Sequence, residues 1–132
     1  MLISLDPSAT VEYSLESDTT DPKTVWVLGL YDVPIGIKIY GLYIKKLIKI
    51  DTTYETDTTD LILDAVRFGL KDVKNFNVPF ETEEINVPNI GKRTVASAAF
   101  IDKAFKHKAQ WIFELYHKLM NINFVSEQDS KN

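Results

Sequence analysis

Apolar and polar positions alternate near the start of this chain. Val11, Tyr13 and Leu15 are separated by Glu12 and Ser14, the two-residue period of a half-buried strand. The run Thr24-Val25-Trp26-Val27-Leu28-Gly29-Leu30-Tyr31 is rich in β-branched and aromatic residues and predicts a second strand. Asp18-Thr19-Thr20-Asp21-Pro22 lies between them, a dense cluster of turn formers. The two strands are expected to pair as an antiparallel hairpin or meander. A lone ribbon is marginal, so it must pack on helices or on another subunit.

The period then lengthens. Ile39, Tyr43 and Leu47 recur at four-residue steps, with Leu42 and Ile50 on the same broad face and Pro34 suited to a first turn, which predicts a helix over 35–50. Alternation of Ile35, Ile37 and Ile39 leaves a strand start as the competing reading. Residues 51–60 read as a polar loop ending at an N-cap, Asp57 or Thr58, before a helix over 59–68. Ile62, Val66 and Leu70 share one face of it, and Gly69 is placed as its C-terminal cap. Pro79, Pro88 and Gly91 mark a loop or small hairpin, with 78–81 and 84–87 as its short strands. Helical spacing resumes at Thr94 or Ser97. Phe100, Ile101, Ala104 and Phe105 form one apolar edge, and Trp111, Ile112, Leu115, Tyr116, Leu119 and Met120 form another. Lys106-His107-Lys108 interrupts the phase between the two. No internal repeat and no heptad run stands out. The expected fold is α+β, one domain over 1–132: an N-terminal antiparallel β-ribbon, about four amphipathic α-helices, and a polar tail from about 122.

Composition narrows the function classes. At 132 residues the chain can bury a core without a metal or a disulfide. A net charge of −4 is a poor start for general nucleic-acid binding, and the lysines of 45–49 and 103–108 read as solvated helix faces. With no cysteine, thiolate catalysis, disulfides and cysteine-held zinc are excluded. The most apolar stretch, 35–50, is broken by Lys38, Lys45, Lys46 and Lys49, so no membrane span is expected. The N-terminus lacks a basic region followed by an apolar one, and no leader is expected.

Candidate chemistry is thin. His107 and His117 stand ten apart, not at the four-residue spacing of a helical metal pair. Asp51, Glu55, Asp57 and Asp60 resemble a calcium loop but lack its central glycine and closing glutamate. Glu81, Glu83 and Glu84 read as an exposed acidic loop, and Gly91-Lys92 lacks the upstream glycine of a phosphate loop. The expectation is no catalytic residue, no cofactor and no metal, hence not an enzyme. Aromatic side chains stand out instead. Trp26, Tyr31, Tyr43, Trp111 and Tyr116 are the candidate interface anchors, because such residues dominate binding energy at protein contacts. The ribbon also offers an edge for strand addition.

Three segments carry a resemblance: Asp21-Pro22-Lys23-Thr24-Val25-Trp26-Val27-Leu28, Gly69-Leu70-Lys71-Asp72-Val73-Lys74-Asn75, and the closing run from Asn121 to Lys131-Asn132. In that order they resemble small proteins of the structural gene modules of tailed bacteriophages. A basic stretch often follows the second strand in that family, whereas Gly29-Leu30-Tyr31 is neutral here. The resemblance implies a virion component or assembly protein of capsid, neck or tail. Its partners would be other virion proteins and copies of itself, with no specific nucleic acid and no membrane. It would reside in the virion or in the host cytoplasm during assembly. The alternatives are a small regulator or inhibitor of a host protein and, third, an enzyme with an unrecognised carboxylate site.

Overall fold

In the computed structural model, residues 8–48 and 54–124 are described. The chain opens with strands β1 (Thr10–Tyr13) and β2 (Val25–Gly29), paired antiparallel with Thr10 opposite Gly29 and Tyr13 opposite Trp26. Trp26 and Leu28 alternate inward along β2 and are fully buried. The predicted ribbon is therefore present, and the fold is α+β, with four helices and two small antiparallel sheets among the described residues.

Helix α1 (Val33–Ile48) starts two residues earlier than its periodicity suggests, and Ile35 and Ile39 point to the core. Helix α2 (Tyr54–Gly69) is longer than expected. Asp57 and Thr58 therefore lie inside it and do not cap it, and only 51–53 of the anticipated loop falls outside the described residues. Tertiary contact overrides weak local propensity here: α2 packs against α1, against the last helix and against the second sheet. Its Leu61, Ile62, Ala65 and Val66 lie at the centre of the core.

The segment after α2 is a strand, not only a helix stop. Strand β3 (Leu70–Lys74) pairs antiparallel with β2, making the sheet order β1-β2-β3. Leu28 pairs with Leu70 and Val27 with Asp72, so Lys71 is the extra residue of a β-bulge. Gly69 is not a left-handed cap. A Cβ on it would overlap the δ-methyls of Leu119, so the glycine serves the close approach of α2 to the last helix. The left-handed residue is Asn75, at φ 57°, where the strand ends and its carbonyl accepts from Thr24 Oγ1 at 3.2 Å.

A second hairpin follows, β4 (Thr82–Val87) with β5 (Gly91–Ala96). Of the two strands expected here, 84–87 falls inside β4, and the partner is 91–96, not 78–81. Pro88 then Asn89 (φ 66°), closed by Ile90 N–H to the Val87 carbonyl at 3.0 Å, follow the pattern of a type II turn. Ser97 caps α3 (Ala98–Ala104), its Oγ accepting from Phe100 N–H at 3.0 Å. The chain breaks at Phe105–Lys108, with His107 at φ 60°, and re-enters α4 (Ala109–Asn123). The polar tail expected beyond Asn121 is helical to Asn123, and 125–132 lies outside the described residues.

Candidate functional site

The candidate anchors chosen by residue type mostly build the interior. Trp26 stacks on Phe105 at 5.2 Å between centroids and meets Phe76 and Trp111 at 5.2 and 6.3 Å. Trp26, Trp111 and Tyr116 are buried, so they cannot serve as surface anchors in this fold. Large aromatics gain most by leaving water, and the β2–α4 junction takes them. Tyr31 is a half-buried brace. Its N–H donates to Asn123 Oδ1 at 2.8 Å and its hydroxyl to the Ala65 carbonyl at 2.8 Å. Burial, with Tyr116 and Asp64 nearby, pushes its hydroxyl far above the ordinary tyrosine range. Tyr43 is half-buried against the same core, 6.1 Å from Tyr40.

The exposed apolar residues lie elsewhere. Helix α1 is apolar nearly all round, yet only one side of it meets the core. Val33 (74% exposed), Ile37 (69%) and Tyr40 (45%) form a stripe along its outer side. Ile37 stands as a ridge between two hollows. One, of about 620 Å³, is floored by Gly36 and Gly41 and walled by Tyr40 and Phe124. The other, of about 450 Å³, lies between Pro34, Lys38 and the β4–β5 turn at Pro88–Ile90. A Cβ on Gly41 would meet nothing within 4 Å, and one on Gly36 only Tyr31 Cβ at 3.9 Å. Nothing within the described fold requires these glycines, which each weaken a helix by about 1 kcal/mol.

The start of this helix is firmly held. Asp32 Oδ1 accepts from Ile35 N–H at 3.2 Å, and Arg93 of β5 donates to the same carboxylate from Nε at 2.8 Å and Nη2 at 3.3 Å. The Arg93 hydrogen bonds hold the Asp32 carboxyl below the usual carboxylate range. Lys38 pairs with Asp64 of α2 at 3.5 Å. Burial pushes the Asp64 carboxyl up, with Lys38 opposing. Phe124 reaches the stripe because α4 ends beside it, 5.2 Å from Tyr40.

A polar cleft of about 670 Å³ runs between the end of β1 and α4, lined by Tyr13, Glu16, Ser17, Glu114, His117 and Lys118 among others. Ser17 Oγ donates to the Glu114 carboxylate, and Lys118 Nζ sits 5.1 Å from the Tyr13 ring centroid. Burial, then Glu114 and Glu16, raise the Tyr13 hydroxyl above its ordinary value. The Ser17 hydroxyl is therefore engaged with a carboxylate, not with a histidine base. The described residues contain no group of three or more histidine, aspartate or glutamate side chains placed to hold a metal ion. His107 sits in the α3–α4 break, and Glu83 is exposed, as expected, with its carboxylate engaged in structural contacts, accepting from Arg67 Nη2 and from Ala98 N–H at 2.9 Å.

Residue type alone misses Val33, Ile37 and Gly36. The signal available for them is that α1 carries apolar residues on both sides of its core face. No helix among the described residues is long and apolar enough to cross a membrane. Compared with protein-family models, curated proteins and solved structures, the chain matches none.

Proposed function

We propose that this chain works by protein–protein contact through the outer side of α1, as a structural or assembly protein of a tailed-bacteriophage virion, and does no catalysis. The observation that carries the contact reading is the stripe itself. Among the described residues, Val33, Ile37 and Tyr40 are three of the five exposed large apolar side chains, and they line one helix face. Contiguous exposed apolar surface marks interaction sites, whereas the remaining two, Leu63 and Phe113, lie singly on α2 and α4. The virion reading is supported by the sequence resemblance of the β2 segment and of the α2–β3 junction. Both segments carry the central sheet, which gives their residues a fold-building role.

The experiment is quantitative mass spectrometry of particles purified from cells carrying the wild-type chain or Ile37→Asp, with particle yield measured alongside. The reading expects either a fixed copy number in the particle or a particle yield that depends on the chain. Ile37→Asp should lower the affected quantity about tenfold or more, since a buried unpaired carboxylate costs several kcal/mol at an apolar contact. A chain absent from particles and without effect on their yield contradicts the proposal.

A further inference from the structure

We propose that the small hollow between the start of α1, the end of α2 and strand β5, walled by Lys71 and Arg93, is a binding site for a single carboxylate. The hollow shares no lining residue with the two hollows of the α1 stripe, so the proposal does not rest on the reading of that stripe. Its volume is about 150 Å³. That is the space of a few water molecules, which suits an acetate-sized group and excludes anything as large as a nucleotide.

Three local features build the site. The β-bulge takes Lys71 out of the ladder between Leu28–Leu70 and Val27–Asp72, and bulges re-aim side chains in this way. Gly29 then makes room for the lysine stem. A Cβ there would lie 2.8 Å from Lys71 Cε and 3.0 Å from Cγ, so the stem runs flat across bare backbone. The third feature is the Asp32 clasp, which fixes the Arg93 guanidinium at the opposite wall.

Neither cation is used up by these contacts. Among the described residues Lys71 uses one of its three N–H groups, donating to the Phe68 carbonyl at 3.0 Å. Arg93 uses three of its five, two on Asp32 and one on the Lys92 carbonyl. Lys71 is exposed along its length, yet its ammonium is drawn down beside Phe68, and loss of water there lowers its pKa, with Asp32 opposing. Lys71 and Arg93 are the cations of the lining and Asp32 its carboxylate, which leaves one positive charge in excess. A monoanion balances that excess. A dianion would overshoot it and meet the Asp32 carboxylate, so the chemistry favours a carboxylate over a phosphate. Two charge-assisted hydrogen bonds at a partly open site predict millimolar affinity for a free acid.

The test is an NMR titration of the isotope-labelled full chain, read at the amides of Gly29, Lys71 and Thr94 and at the Lys71 side chain. Sodium acetate is compared with sodium chloride at equal ionic strength. Acetate is expected to give saturable shifts at these positions with a millimolar midpoint, and dianionic phosphate to bind severalfold more weakly. Lys71→Gln removes an exposed charge without touching the core and should weaken acetate binding about tenfold or more. Gly29→Ala changes no charge, but its methyl displaces the lysine stem and should weaken binding severalfold. The two sources of a carboxylate separate in the same experiment. N-acetylglutamate N-methylamide carries the group on a peptide stem. Binding at least as tight as that of acetate assigns the site to an acidic side chain of a protein partner. Exclusion of the stem while acetate binds assigns it to a free small acid. Shifts that never saturate, that chloride reproduces, or that persist in Lys71→Gln overturn the proposal, and tighter binding of phosphate overturns its assignment to a carboxylate.

Discussion

Asp18 shows how a single polar residue shapes the β1–β2 loop. It is buried, and its carboxylate accepts from Thr20 N–H at 2.9 Å, Thr20 Oγ1 at 2.6 Å and Thr24 N–H at 2.9 Å. Burial alone would raise its pKa; the hydrogen bonds from Thr20 and Thr24, with Lys23 nearby, outweigh that and hold it below the ordinary value. A carboxyl depressed in the folded state contributes stability above its unfolded pKa and loses it as pH falls through the folded one. Asp18→Ala should therefore lower stability by about 1–3 kcal/mol at neutral pH and by less in strong acid, read by urea titration at both. A deficit of equal size at both pH values would show that the charge is not involved. Gly69→Ala tests a different physics. Its methyl must displace the fully buried Leu119, so a loss of about 1–3 kcal/mol is expected although alanine is the better helix former.

At the scale of elements, Arg67 fastens the second hairpin to the helices. Its Nε donates to the Ala96 carbonyl at 2.9 Å and its Nη2 to Glu83 at 2.5 Å. Arg67→Ala should accelerate hydrogen exchange of β4 and β5 amides while leaving β1 and β2 unchanged; a uniform acceleration would mean that the hairpin is not a separate unit. Elements with their own periodic signal were legible from the sequence. The ribbon, α1, the return to helix near Ser97 (though not at Thr94, which lies in β5) and the break before α4 all follow from local pattern. β3 was not, because Leu70-Lys71-Asp72-Val73-Lys74 shows no alternation once Lys71 is a bulge. It becomes a strand by pairing with the far side of β2, which no local window contains. The first turns of α2 were hidden for a similar reason: threonine and aspartate are turn formers by preference, and packing of the later turns extends the helix over them.

For the whole molecule, the lesson concerns where aromatic residues go. Choosing anchors by residue type led to Trp26, Trp111 and Tyr116, which the core consumes, while the exposed stripe is mostly aliphatic. The distinction depends on which side of α1 faces inward, and that is settled by long-range packing against α2. Hydroxyl-radical footprinting of the side chains tests the central claim most directly, comparing free protein with protein in purified particles or, for an assembly factor, in assembly intermediates. The account predicts that Val33, Ile37 and Tyr40 become protected in the assembled sample while Phe113, as open as Tyr40 but on α4, stays reactive. Unchanged reactivity along α1, with protection elsewhere, would contradict it.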